Sequence, residues 1–145
     1  MNNKYIIHVD GGSRGNPGPA AIGAVIALAD GSLKKEYGEF IGQATNNEAE
    51  YQAAIFALKK LKLLVGKEKA RNARVEVHMD SEFMAKQING EYKVEEPDIQ
   101  KLFLELWNLK IGFKNISFIH LTRDKNKAAD KLVNVALDRE TRKLL

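Results

Sequence analysis

At 145 residues and 16.2 kDa, the chain is expected to form one domain, since two would each lack a sizeable core. Its 44% hydrophobic content excludes a disordered chain, and the absence of Cys excludes disulfides, a thiolate zinc site and a cysteine nucleophile. The net charge of +4 permits a polyanionic partner, no apolar run approaches the roughly 18 residues of a membrane span, and the Met-Asn-Asn-Lys start lacks a secretory signal, so a cytoplasmic protein is expected.

Lys4 to Asp10 is rich in β-forming residues and reads as a strand. It breaks into the loop Gly11 to Pro19, which holds four glycines and two prolines. Ala20 to Ala29 is a second apolar run, Asp30-Gly31 signals a two-residue hairpin, and Leu33 to Ile41 is a third strand. Asn46 to Val65 carries Ala49, Ala53, Phe56, Leu58, Leu61 and Leu64 near helical spacing, with Gly66 as its stop. The charged stretch Lys67 to Arg74 reads as a solvated loop. Arg74 to Asp80 is a fourth strand, and Ser81 caps a helix that runs through Ile88. Pro97 and Asp98 open another helix, with Ile99, Leu102, Phe103, Leu106 and Leu109 on one stripe. Asn115 to Leu121 is a fifth strand, and Asn126 to about Glu140 a last helix. The order β-β-β-α-β-α-α-β-α predicts an α/β fold: an antiparallel meander, then parallel strands, in a mixed five-stranded sheet with helices packed on it.

Chemistry in such folds collects at strand ends. Asp10 and Asp80 each end a strand. Held close together they would repel, and a divalent cation that favours oxygen ligands, Mg²⁺ or Mn²⁺, offsets that repulsion. Glu48, Glu50 and Asp130 lie in first turns of helices, where any acid meets the helix dipole favourably. Glu48 and Glu50, two apart on a helix, face different ways, so one of them at most addresses a site on the sheet.

Order and surroundings separate these readings. Asp10-Gly11-Gly12-Ser13-x-Gly15-Asn16-Pro17-Gly18-Pro19, then Thr45-Asn46-Asn47-x-x-Glu50-Tyr51, then Asp80-Ser81, then Asn126-Lys127-x-Ala129-Asp130 resembles ribonuclease H of type 1, over about Lys4 to Asp138. The resemblance implies the ribonuclease H-like fold and an endonuclease that hydrolyses the RNA strand of RNA/DNA hybrids, leaving 5′-phosphate and 3′-hydroxyl ends. It implies Asp10, Glu50, Asp80 and Asp130 as catalytic carboxylates and metal ligands, with Glu48 a helix-start acid. Two Mg²⁺ ions about 4 Å apart, or Mn²⁺ in their place, would clamp the entering and leaving oxygens. It also implies hybrid contacts at Asn16, Thr45, Asn46, Asn47 and Phe83, while Gly11 and Gly12, lacking side chains, offer backbone that RNA can approach closely. The bland alternatives are turn formation for Asn16 and capping for Thr45 to Asn47.

The chain departs from the family at three places. Leu121 to Asn126 has no His, and Arg123 is expected to fill part of its role by stabilising phosphate charge, though not as a base. Gly90 to Ile99 has no basic helical handle and holds Glu91, Glu95, Glu96 and Asp98, which predicts modest, salt-sensitive affinity. Glu82 puts a further acid two residues after Asp80. His8 and His78 each precede a carboxylate by two residues and share its sheet face. They read as a hydrogen-bonded buried pair or, alternatively, as a support to the site. The chain is expected to act as a monomer. Rival functions are a related polynucleotidyl transferase, a double-stranded-RNA nuclease, whose activity is alternatively a side activity of the main one, and a catalytically dead hybrid-binding module.

Overall fold

The computed structural model describes residues 3–143. Strands β1 (Lys4–Ser13), β2 (Gly18–Leu28) and β3 (Lys34–Ala44) form an antiparallel meander. Helices α1 (Asn46–Val65) and α2 (Lys67–Asn72) lead to β4 (Arg74–Met79), then α3 (Glu82–Ile88), α4 (Pro97–Ile111), β5 (Asn115–His120) and α5 (Lys127–Lys143). The sheet order is β3-β2-β1-β4-β5, with β4 parallel to both β1 and β5. This is the mixed five-stranded sheet expected from the sequence.

The apolar pattern explains the layering. Ala20 to Ile26 on β2 are all buried, as a strand covered on both faces requires. The helix α1 covers one face, where Leu58 and Leu61 meet Ile7, Val9 and Val77 in the main core. On the other face α5 lays down Ala129, Val133, Ala136 and Leu137, at i, i+4, i+7 and i+8 of one stripe. The outer strand β3 is largely exposed and begins Lys34-Lys35-Glu36, charges that protect a sheet edge from further pairing. Among the described residues no helix is long and apolar enough to cross a membrane.

Three local expectations change. Strand β1 does not break after Asp10 but pairs with β2 as far as Ser13, because Gly11 and Gly12 still have ladder partners in Ile22 and Ala21. The β2–β3 hairpin forms around Asp30-Gly31, but its loop runs from Ala29 to Leu33. The Asp30 carboxylate accepts from the Ser32 amide (2.8 Å) and hydroxyl (2.6 Å), which stabilises the wider turn. The charged stretch after Gly66 is not a loop: Lys67–Asn72 is the helix α2, anchored by the buried Ala70. Gly66, at φ +89°, makes the corner between the two helices.

Candidate active site

The carboxylates gather where β1 and β4 run side by side. Strand β1 delivers Asp10, and Asp80 follows the last residue of β4. Glu50 comes from the first turns of α1, which approaches β1 so closely that a Cβ on Gly11 would run into the backbone of Ala49. One carboxylate oxygen from each of Asp10, Glu50 and Asp80 lies within 4.8 Å of the others. Asp130, in the first turn of α5, lines the same cavity of about 450 Å³. It is exposed and stands outside the 4.8 Å group.

The seat of α5 explains how Asp130 arrives there. Gly23 on β2 is the ladder partner of Asp10, and a Cβ on Gly23 would collide with the carbonyl of Ala129. On the neighbouring strand a Cβ on Gly38 would meet the carbonyl of Leu132 at 2.7 Å. Two missing side chains thus let the start of α5 lie directly on the sheet.

Burial sets the electrostatics. Asp10 is 7% exposed and Glu50 8%. Loss of hydration, then the charge of Asp80, pushes the Asp10 carboxyl up to about 7. Glu50 also lies well above the usual carboxylate range, first from burial and then from Asp10 beside it. Four carboxylates line the cavity against two guanidiniums, and one of those, Arg14, is paired with Asp138 at 2.6 Å. A phosphodiester would be repelled from that mouth unless cations entered with it.

The donor set fits divalent cations. All the converging groups are hard oxygen ligands. Glu50 Oε2 is buried with no hydrogen-bond partner, an unmet acceptor that a cation would satisfy. The residues able to hold such ions are Asp10, Glu50 and Asp80, with Asp130 at the rim.

The sequence-chosen contact residues divide. Gly11, Gly12, Asn46, Asn47 and Arg123 line the cavity, and Asn16, Thr45 and Phe83 do not. Thr45 caps α1: its hydroxyl accepts from the Glu48 amide (3.1 Å), and Glu48 Oε1 accepts from the Thr45 amide (2.9 Å). Glu48 is therefore the capping acid of this helix. Asn16 Oδ1 accepts from the Asn46 amide (3.0 Å), and Asn46 Oδ1 from the Ser13 amide (2.9 Å), which ties the β1–β2 loop to the start of α1. Ser81 Oγ accepts from the Met84 amide (3.2 Å), the cap expected for α3. Phe83 is 47% exposed and lies beside Tyr92 at a second cavity, with ring centroids 5.8 Å apart. Arg123 sits on a 3₁₀ turn (Arg123–Lys125), and Gly90 to Glu96 holds no helix. Glu82 is paired with Lys86 at 2.9 Å.

His8 and His78 are ladder partners, as adjacent strands require, and their rings meet edge to face at 4.9 Å. They are half-buried rather than buried, and His78 Nε2 bonds Glu76 Oε1 at 3.0 Å. Neither lines the cavity. Sequence reasoning passed over the side chain of Asn126, which is 1% exposed. Its Nδ2 donates to the Val9 carbonyl (2.8 Å) and to Asp80 Oδ2 (3.2 Å). Its place at the head of the Asn126-Lys127-x-Ala129-Asp130 motif was its visible signal, and capping of the helix that follows explains that signal as well.

Residues 8–136 match the family described as reverse transcriptase-like. The bifunctional protein Rv2228c of Mycobacterium tuberculosis is 42% identical over 93% of this chain, and the match covers 36% of that protein. The chain thus spans about a third of the first curated relatives it matches. The ribonuclease H of Rickettsia akari is 33% identical over 91% of this chain and 90% of its own length. Among solved structures, LC11-RNase H1 in complex with an RNA/DNA hybrid superimposes with a TM-score of 0.88 at 43% identity, covering 94% of this chain and 99% of that one. By the family match and by these full-length likenesses, the chain belongs to the ribonuclease H family.

Proposed function

We propose that this chain hydrolyses the RNA strand of RNA/DNA hybrids by two-metal-ion catalysis, leaving 5′-phosphate and 3′-hydroxyl ends. The observation that carries the reading is the convergence of Asp10, Glu50 and Asp80 from three separate elements on one open cavity. The solved hybrid complex of a 43% identical relative supports the choice of substrate.

In this reading Asp10, Glu50, Asp80 and Asp130 hold Mg²⁺, or Mn²⁺ in its place. Bound there, the ions supply positive charge at the scissile phosphate and acidify the attacking water. The chain supplies position and exclusion of water. Burial of Asp10 and Glu50 keeps competing water from their oxygens. The backbone at Gly11 and Gly12 admits the RNA closely, and Asn16, Asn46 and Asn47 address the minor groove, where the 2′-hydroxyl distinguishes RNA from DNA. Thr45, at the start of α1, lies near a DNA phosphate, and its helix end favours that anion. Phe83 packs on a DNA sugar, and Arg123 meets phosphate charge. Residues 1–145 act as one monomeric, cytoplasmic domain, in keeping with the Cys-free composition.

The test is cleavage of an end-labelled RNA strand paired with DNA, beside RNA/RNA and single-stranded RNA. Mg²⁺, Mn²⁺ and chelator arms run in parallel, with Asp10→Asn as control. Metal-dependent cutting of the hybrid, lost in the variant, is expected. Equal cutting of RNA/RNA would broaden the substrate. Tight hybrid binding with no cutting under either metal would refute the enzyme reading.

A further inference from the structure

Asn126 belongs to none of the four carboxylates, yet it touches the elements that carry three of them. Its Nδ2 bonds the carbonyl of Val9, the residue before Asp10, and the same nitrogen bonds Asp80 Oδ2. Its own carbonyl accepts from the Asp130 amide at 3.2 Å, in the first turn of α5. Its amide donates to the Arg123 carbonyl at 3.0 Å, which closes the short turn before that helix. The side chain reaches across 117 residues of sequence to β1 and 46 to Asp80.

Two features separate this from ordinary packing. Asn126 Oδ1 is buried with no hydrogen-bond partner, so the position keeps an amide whose acceptor is unmet. An apolar residue would avoid that loss if filling space were the whole role. The amide also provides two donors on one nitrogen, and these are what the junction uses, one for a strand carbonyl and one for a carboxylate. Holding one oxygen of Asp80 restricts rotation of that carboxylate without adding another charge to a crowded cluster.

We propose that Asn126 is a positioning residue for the cation site: it orients Asp80 and pins the start of α5 to β1, so that the carboxylates stand ready before a cation arrives. This rests on the nuclease reading and deepens it. Asn126 is buried and is not expected to touch the hybrid, so its loss acts on the metal and leaves nucleic-acid recognition alone.

The experiment is Mn²⁺ binding to the full chain without nucleic acid, followed by electron paramagnetic resonance of the free ion. Unfolding midpoints in chelator and KM for the hybrid at saturating Mg²⁺ accompany it. For N126A the Mn²⁺ dissociation constant is expected to rise about tenfold, with KM for the hybrid unchanged. Ile26→Val, a core change away from the cluster, is expected to lower the midpoint and leave Mn²⁺ binding as it was. If N126A does not fold, N126S carries the test, since its shorter hydroxyl cannot span both acceptors, and a smaller rise is expected. A folded variant with wild-type Mn²⁺ affinity would reduce Asn126 to a structural strut and overturn the proposal, whatever its stability. A wild-type chain that neither binds Mn²⁺ nor cuts the hybrid would overturn the nuclease reading, and this inference with it.

Discussion

Asp10 and Gly23 stand opposite each other in the β1–β2 ladder, and the carbonyl of Ala129 rests where a side chain on Gly23 would be. Through that one absent Cβ, the residue before Asp130 settles over the partner of Asp10. Gly23→Ala should therefore force the start of α5 off the sheet. We expect a loss of about 1–3 kcal/mol of stability, the usual penalty for overpacking. Hybrid cleavage should fall with it, since Asp130 moves away from the cavity. Thermal unfolding and cleavage at saturating Mg²⁺ check this, and wild-type cleavage by a destabilised variant would show that the seat of α5 is irrelevant to the chemistry.

The raised carboxyl of Asp10 gives a pH prediction with a definite sign. Unfolded, the group titrates near 3.8, and folded near 7. Between those values the folded state binds more protons than the unfolded one, so stability falls as pH rises from about 4 to about 7. Asp10→Asn removes this term. In chelator at about pH 8 the variant should be more stable than wild type by about 2–4 kcal/mol, and near pH 4 the two should match. Mg²⁺ should narrow the gap at the higher pH, because it stabilises the complete cluster. Denaturant unfolding at both pH values, with and without Mg²⁺, measures it.

Glu48 and Glu50 are two residues apart on α1, and their variants should separate cleanly. Thr45→Ala, which opens the capping box that Glu48 closes, should cost about 1 kcal/mol and raise KM for the hybrid while kcat stays near wild type. Glu48→Gln should also cleave normally. Glu50→Gln should lower kcat at least about a hundredfold while the fold persists, because in the proposed mechanism this buried carboxylate holds the cation and caps nothing. Equal losses from both glutamate variants in a cleavage assay would refute this division of roles.

Arg123 and Arg14 are the two cations lining the cavity, and Arg14 is already paired with Asp138. Arg123→Ala should raise KM for the hybrid. It should also lower the slope of log KM against log salt by about 1, the signature of one lost phosphate contact. A titration from about 50 to about 200 mM salt tests it, and an unchanged slope would place Arg123 off the nucleic-acid path.

Much of this protein was legible from local pattern. Alternation and helical spacing are set by neighbours two to four residues apart, so the strands, four of the five helices and the mixed sheet could be read directly. Asp80 just past the end of β4, and the opposed facing of Glu48 and Glu50, follow from the same short-range geometry, whereas Asp10 lies within β1 and not at its end. The helix α2 was not legible, because its charged run has one buried anchor, Ala70, and no stripe to betray it. The cavity-lining glycine Gly11 read as room for nucleic acid, whereas its bare Cα also admits the backbone of α1 at Ala49. Gly23 and Asn126 gave no comparable sign of the contacts they make. Their partners lie about a hundred residues away, and contacts of that range leave in the sequence only a missing side chain or a lone amide. Local periodicity determined which elements form and which acids they carry. The close approach of distant backbones, which depends on where side chains are absent, decided how those acids meet.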